Sequence, residues 1–149
     1  MWYFTVEHTV AGLGGIMLTE LLVHGWDLAD ARREPWSITR TQAVACLRGI
    51  LPAIVLLVNE QVAATATGTY HVHLRGGDDW TVRVYDSAVK VARGRPHRAD
   101  LYLSADPVTF LRNAYGLIGN TRAALSGGVI AWGRRPWLAT RFARLFVET

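Results

Sequence analysis

The chain has little cysteine, little lysine and no long uninterrupted apolar run. Among its 149 residues there is one cysteine, Cys46. That excludes an internal disulfide and suits a reducing, cytoplasmic setting. Cys46 lies inside an apolar stretch, where a thiol serves as core filler rather than nucleophile. That stretch, residues 43–58, is interrupted by Arg48 and Pro52. It is also shorter than the roughly 20 residues a spanning helix requires, so no transmembrane segment is expected. Residues 1–7 have neither a basic start nor a long apolar run, so no secretory leader is expected. Lys90 is the only lysine, and the net charge of +4 comes from arginines scattered along the chain. Without a basic run or a nucleic-acid motif, that charge does not point to nucleic acid as a partner.

What is present is apolar. Half the residues are hydrophobic, so a core can form in one ordinary domain, or in a helical fragment joined to a small domain. Residues 11–15, Ala-Gly-Leu-Gly-Gly, look like a phosphate-cradling loop. No strand precedes them and no Lys-Ser/Thr follows, so a loop leading into a helix is expected. A helix is predicted over 16–31, ended by Pro35 and Ser37, and a second over 40–64, capped by Ser37 or Thr39. Pro52 should kink or divide the second. Helices this apolar must cover each other, pack on the following domain, or find a second chain, and a homodimer through them is expected.

From Gly68 the period changes to two. Tyr70, Val72 and Leu74 face one way, and His71, His73 and Arg75 the other. Gly76-Gly-Asp-Asp79 has hairpin chemistry, and Trp80, Val82 and Val84 share a face of the next strand. Strands over 88–92 and 100–104 continue an antiparallel meander. Asp106-Pro107 opens a helix, Asn120 caps a short one, and 129–132 is a fifth strand. A last helix starts at Arg134-Arg135-Pro136. Strands and helices segregate, so the class is α+β. The organisation is a partial helical bundle over 1–64 followed by a compact domain over 65–149.

Three sets of residues carry chemistry. Glu20 and His24, one helical turn apart, stack on one face and can supply two of the three or four protein ligands of a divalent metal such as zinc. Asp27 lies three residues beyond, placed to orient the His24 ring, and His8 is the candidate third ligand. The commoner meaning of such a pair is an i,i+4 ion pair on a wet face. His71 and His73 share a strand face with no carboxylate beside them in sequence, which fits solvent-facing residues better than a metal pair. Arg134 and Arg135 could clamp a substrate carboxylate, because guanidinium forks bind carboxylates bidentately.

Glu20-Leu-Leu-Val-His24-Gly-Trp-Asp27, followed by Leu-Ala-Asp-Ala, resembles the metal-binding helix of the mycothiol-dependent maleylpyruvate isomerase family. Members of that family join a DinB-like helical bundle to a small sterol-carrier-like domain. The resemblance implies a metal on Glu20 and His24 with a histidine from an earlier helix, which this chain does not contain. It also implies mycothiol as a thiol cofactor, and isomerase or thiol-transferase chemistry on a small unsaturated diacid or other electrophile. A missing segment or a partner chain would have to complete the site.

The remainder is similar to the sterol-carrier-protein-like domain of the same family. The likeness rests on Thr69-Tyr70, Leu74-Arg-Gly-Gly77, residues 104–111 (Ser-Ala-Asp-Pro-Val-Thr-Phe-Leu), residues 131–137 (Ala-Trp-Gly-Arg-Arg-Pro-Trp) and Phe146. It implies a curved five-stranded, mainly antiparallel sheet covered by helices, with a gap that admits a lipid or other small apolar ligand. The lining would be Tyr70, Trp80, Val82, Phe110, Leu111, Tyr115, Leu117, Ile118, Leu138 and Phe142. In so small a domain the same residues could simply fill the core. A binding module is the expected function, with the mycothiol-dependent enzyme as the alternative.

Overall fold

The computed structural model describes the backbone of residues 2–3, 6–7 and 9–146, with side chains from residue 9 onward. Two short strands, β1 (Trp2–Tyr3) and β2 (Val6–Glu7), pair antiparallel ahead of the first helix. That helix, α1, spans Val10–Arg32 and so takes in the glycine-rich stretch expected as a loop. Thr9 caps it, its side chain accepting from the Gly12 N–H at 3.0 Å. Each helical glycine costs about 1 kcal/mol of propensity. Packing overrides that here, because Gly15 lies flush against the second helix at Gly49. A Cβ on Gly15 would press into Ala45 O, and one on Gly49 would come within 2.5 Å of Gly12 O. The helix ends at Arg33, whose left-handed φ of 54° turns its N–H back onto Ala29 O and Asp30 O.

The second helix, α2 (Arg40–Ala53), starts with a capping box in which Thr39 and Gln42 satisfy each other's backbone N–H. The helix expected over 40–64 is divided, one of the two outcomes that Pro52 was expected to impose. Past Pro52 the chain tightens into a 3-10 turn at Ile54–Leu57, Val58 bridges to Phe146, and Asn59 caps a short α3 (Glu60–Ala63). Arg40–Leu57 is long and apolar enough by composition to cross a membrane. It is not one continuous helix, and its Ala43, Cys46, Leu47 and Leu51 are buried in this fold.

The sheet contains β3 (Gly68–Leu74), β4 (Asp79–Tyr85), β5 (Ala88–Arg93), β6 (Leu101–Ala105) and β7 (Val129–Gly133), in the order β5-β4-β3-β6-β7. The expected meander holds for β3 to β5. It fails at β6, which crosses back to lie parallel to β3, so the sheet is antiparallel except for that pair. Asp86 and Ser87, both at positive φ, make the two-residue turn into β5. Between β6 and β7 lie α4 (Pro107–Ala114), capped by Asp106, and α5 (Asn120–Leu125). Gly119, not Asn120, occupies the cap of α5, and Asn120 instead accepts from Asn113 Nδ2 at 2.8 Å. A short α6 (Leu138–Phe142) follows β7.

The strands alternate as their sequence does. Tyr70, Val72, Leu74, Trp80, Val82, Val84, Leu101 and Leu103 face the helices, where Leu47 and Leu51 of α2, Leu111 of α4 and Leu138 of α6 meet them. Leu22 of α1 joins the same cluster, so one core runs across residue 64.

Candidate functional site

Of the ten residues expected to line a ligand space, eight share one core cluster, and Leu117 and Ile118 are not in it. Tyr70, Trp80, Val82, Leu111 and Leu138 are buried in the layer between sheet and helices, with Phe110, Tyr115 and Phe142 packed against them. The layer is closed. Tyr70 and Leu138 present no surface even to a water-sized sphere, so no void of that size touches them. The Phe142 ring lies 5.2 Å from that of Tyr70, and Phe146 stands edge-on to Phe142 at 5.9 Å. Burial pushes the Tyr70 hydroxyl up to about 12, and it donates to Ala66 O. Tyr115 is raised to about 12 by burial first, then by Glu20 and Cys46. The Trp80 indole N–H finds no acceptor among the described residues. Such a buried orphan costs on the order of 1–3 kcal/mol.

Helix α6 is part of that closure, through Leu138. This helix has five residues and no side-chain cap. At its edge, between α3 and α6, a depression of about 240 Å³ is lined by Val62, Thr65, Thr140, Arg141 and Arg144. Val62 belongs to the wall of the core, and Arg141 is near enough to Tyr70 to act on its hydroxyl.

The other predicted residues are placed differently. His24 lies on the open face of α1, its Nε2 3.3 Å from Glu20 Oε2 and its Nδ1 3.8 Å from Asp27 Oδ2. All three side chains are more than half exposed. Each ring nitrogen thus faces its own carboxylate. Among the described residues no group of three His, Cys, Asp or Glu is arranged to hold a metal. His8 lies outside the described residues. Two exposed donors fall short of the three or four protein ligands a zinc takes. Arg134 is exposed, whereas Arg135 donates to Thr67 O at 2.8 Å and leans over Trp137.

His71 and His73 are not simply solvent-facing. Both bond to Asp79 Oδ1 at 2.8 Å, and Arg95 Nε donates to Oδ2 at 2.9 Å. The missing carboxylate stands across the hairpin, where the register sets Asp79 opposite His73. Burial alone would raise the Asp79 carboxyl, but Arg95, His71 and His73 together outweigh it and hold it at about 2. Segment 94–100 runs over this outer sheet face, tied by Arg95 and by Thr81 Oγ1 donating to Gly94 O. Beside it Tyr102 stacks on Trp132 at 5.9 Å. A second tie joins α2 to the hairpin: Arg48 and Arg93 both grip Asp78, and the Arg48 hydrogen bond is the main force lowering that carboxyl.

A mainly antiparallel sheet with helices on one face and an apolar layer between them defines a sterol-carrier-like α+β domain. Residues 56–146 match the SCP-2 sterol transfer family, and the chain belongs to it. No curated protein matches the chain. Sterol carrier protein 2 like 2 from Aedes aegypti superposes with a TM-score of 0.56 at 17% identity, over 72% of this chain and 100% of that one. The sterol carrier protein domain 2 of Helicoverpa armigera gives 0.55 at 18% identity, over 69% and 84%. The sec-alkylsulfatase Pisa1 from Pseudomonas sp. gives 0.57 at 13% identity, over 75% of this chain but 17% of the enzyme. The chain therefore spans about a sixth of that sulfatase, and these likenesses show the fold alone. The matched stretch begins at residue 56, so the resemblance of the His24 helix to the isomerase family rests on its motif.

Proposed function

We propose that the chain binds a small apolar ligand, a lipid or a molecule of similar character, in the layer between sheet and helices, admitted at the α3–α6 edge. The closure of that layer by α6 carries the reading. Lifting α6 exposes Leu138 and Phe142, at about 1.5–3 kcal/mol for each large apolar side chain. A ligand that restores those contacts offsets that cost, and water does not. An oxygen on the ligand would also satisfy the Trp80 N–H, which has no partner among the described residues. Arg141 and Arg144 at the rim suit an acidic head group, so fatty acids are the ligand class to try first. Delipidated protein titrated with a fluorescent fatty acid should bind one per chain, and an unlabelled fatty acid should displace it. Absence of saturable binding would remove the proposal.

A further inference from the structure

Helix α1 is apolar on both sides. Gly15, Thr19, Leu22 and Ala29 face the rest of the fold, yet Val10, Met17, Leu21 and Leu28 stand 62–78% exposed on the opposite side. Glu20, His24 and Asp27 are exposed beside them, but one apolar stripe is enough to seat a surface helix, so the second calls for a cover of its own. The open stripe reads Val10, Gly14, Met17, Leu21, His24, Leu28, Ala31, in alternating steps of four and three. That is the spacing of a helix-pairing seam. The chain also carries more surface than its mass accounts for. A compact monomer of 16.5 kDa exposes about 7,500 Å², against 8851 Å² here. That excess of about 1,300 Å² belongs to the whole chain; a stable interface takes roughly 800 Å² from one partner, so the surface is large enough to include one.

We propose that this stripe seats a second copy of the same chain, with the two α1 helices antiparallel about a twofold axis at Leu21. The stripe is self-complementary in that arrangement. Leu21 meets its own copy, Leu28 fills the space over Gly14, Met17 lies on His24, and Val10 on Ala31. Among the described residues nothing stands within 4 Å of where a Gly14 Cβ would be, so they leave open the gap that Leu28 would fill. A parallel pairing would instead stack glycine on glycine and histidine on histidine, leaving a hole in one layer and two polar rings in another.

Light scattering across micromolar concentrations should show a dimer. Leu21→Glu places two charges at the axis and should weaken association about tenfold or more. Its melting temperature in dilute solution should stay close to wild type, because Leu21 is 71% exposed in the single chain. Leu21→Cys should oxidise to an interchain disulfide, since the axis brings the two Cβ atoms together. Val10→Cys should not. Cys46 is fully buried and will not confuse the result. A strict monomer overturns the pairing, as does a dimer indifferent to Leu21→Glu. Monomers that float with lipid vesicles would assign the stripe to a membrane and likewise overturn it.

Discussion

Gly14 and Gly15 are neighbours in α1, and replacing each by alanine should move stability in opposite directions. Both substitutions gain helix propensity, about 1 kcal/mol each. At Gly14 the added methyl meets nothing within 4 Å among the described residues, so the gain stands. At Gly15 it drives into Ala45 O and lies 3.1 Å from Gly49 N and 3.2 Å from Gly49 Cα, all backbone atoms that no rotamer can move aside. The helices must part, and overpacking of this kind costs about 1–3 kcal/mol. Once helices that touch through glycines are separated, the Leu22 contacts loosen with them. The expected balance is a gain of about 0.5–1 kcal/mol for Gly14→Ala and a net loss of up to about 2 kcal/mol for Gly15→Ala. For a chain of this length each kcal/mol moves the melting temperature by about 2–4 °C. Urea and thermal unfolding at dilutions below any association would read both. A Gly15→Ala variant stabilised as much as Gly14→Ala would show that α1 and α2 do not cross where described.

Further consequences can be tested separately. The folded Asp79 carboxyl sits at about 2, below its unfolded value near 4, so its stabilisation is present above about pH 4 and is lost as pH falls towards 2. Asp79→Asn should therefore lower stability at neutral pH by about 1–2 kcal/mol and flatten the acid limb of the stability curve. An unchanged limb would refute the cluster. Phe142→Ala should lower the melting temperature, costing about 2 kcal/mol, yet tighten fatty-acid binding by easing α6 open. A fall in both would deny Phe142 its closing role. With two exposed donors on α1, zinc should be lost on desalting. One retained zinc per chain, abolished by His24→Ala, would instead mean that a third ligand comes from outside the described residues.

Local patterns were legible in the sequence; long-range pairings were not. Alternation in β3 and β4 told which side chains face inward, because strand side chains have a period of two. Asp106-Pro107 and Thr39 marked their helix starts, because caps act within one turn. Residues 11–15 misled, since a stretch with three glycines resembles a loop until Gly49 is known to lie against it. The parallel placement of β6 beside β3 joins residues about 30 apart, and no local signal encodes that partner. The Asp79 cluster could have been found. A hairpin turning at Gly76-Gly77 sets Asp79 opposite His73, and counting back from the turn would have supplied the missing carboxylate. Most of the residues named as a lining do share one core cluster, as the inward phase of β3 and β4 would have it. Whether that layer stands open or shut depends on α6, whose brevity the pattern around Arg134–Phe146 did not reveal.

The two proposals concern different parts of the molecule, and that separation can itself be tested. The apolar layer opens at α6, whereas the stripe lies on the far side of α1, with α2 between them. From α1 the links to the layer are Leu22 and Leu18, which pack on the core, and Glu20, which acts on Tyr115; none of them is in the stripe. Pairing through Leu21 therefore leaves Leu138, Phe142 and Tyr70 where they are, and a ligand beneath α6 makes no differential contact with single and paired chains. Without such a difference neither event can bias the other. Fatty-acid affinity should be equal in wild type and Leu21→Glu, and the dimer constant should not change with ligand. If Leu21→Glu altered the affinity severalfold, coupling would have to pass through Leu22, Leu18, Glu20 or α2. The layer would then not be the self-contained unit that its closure by α6 requires.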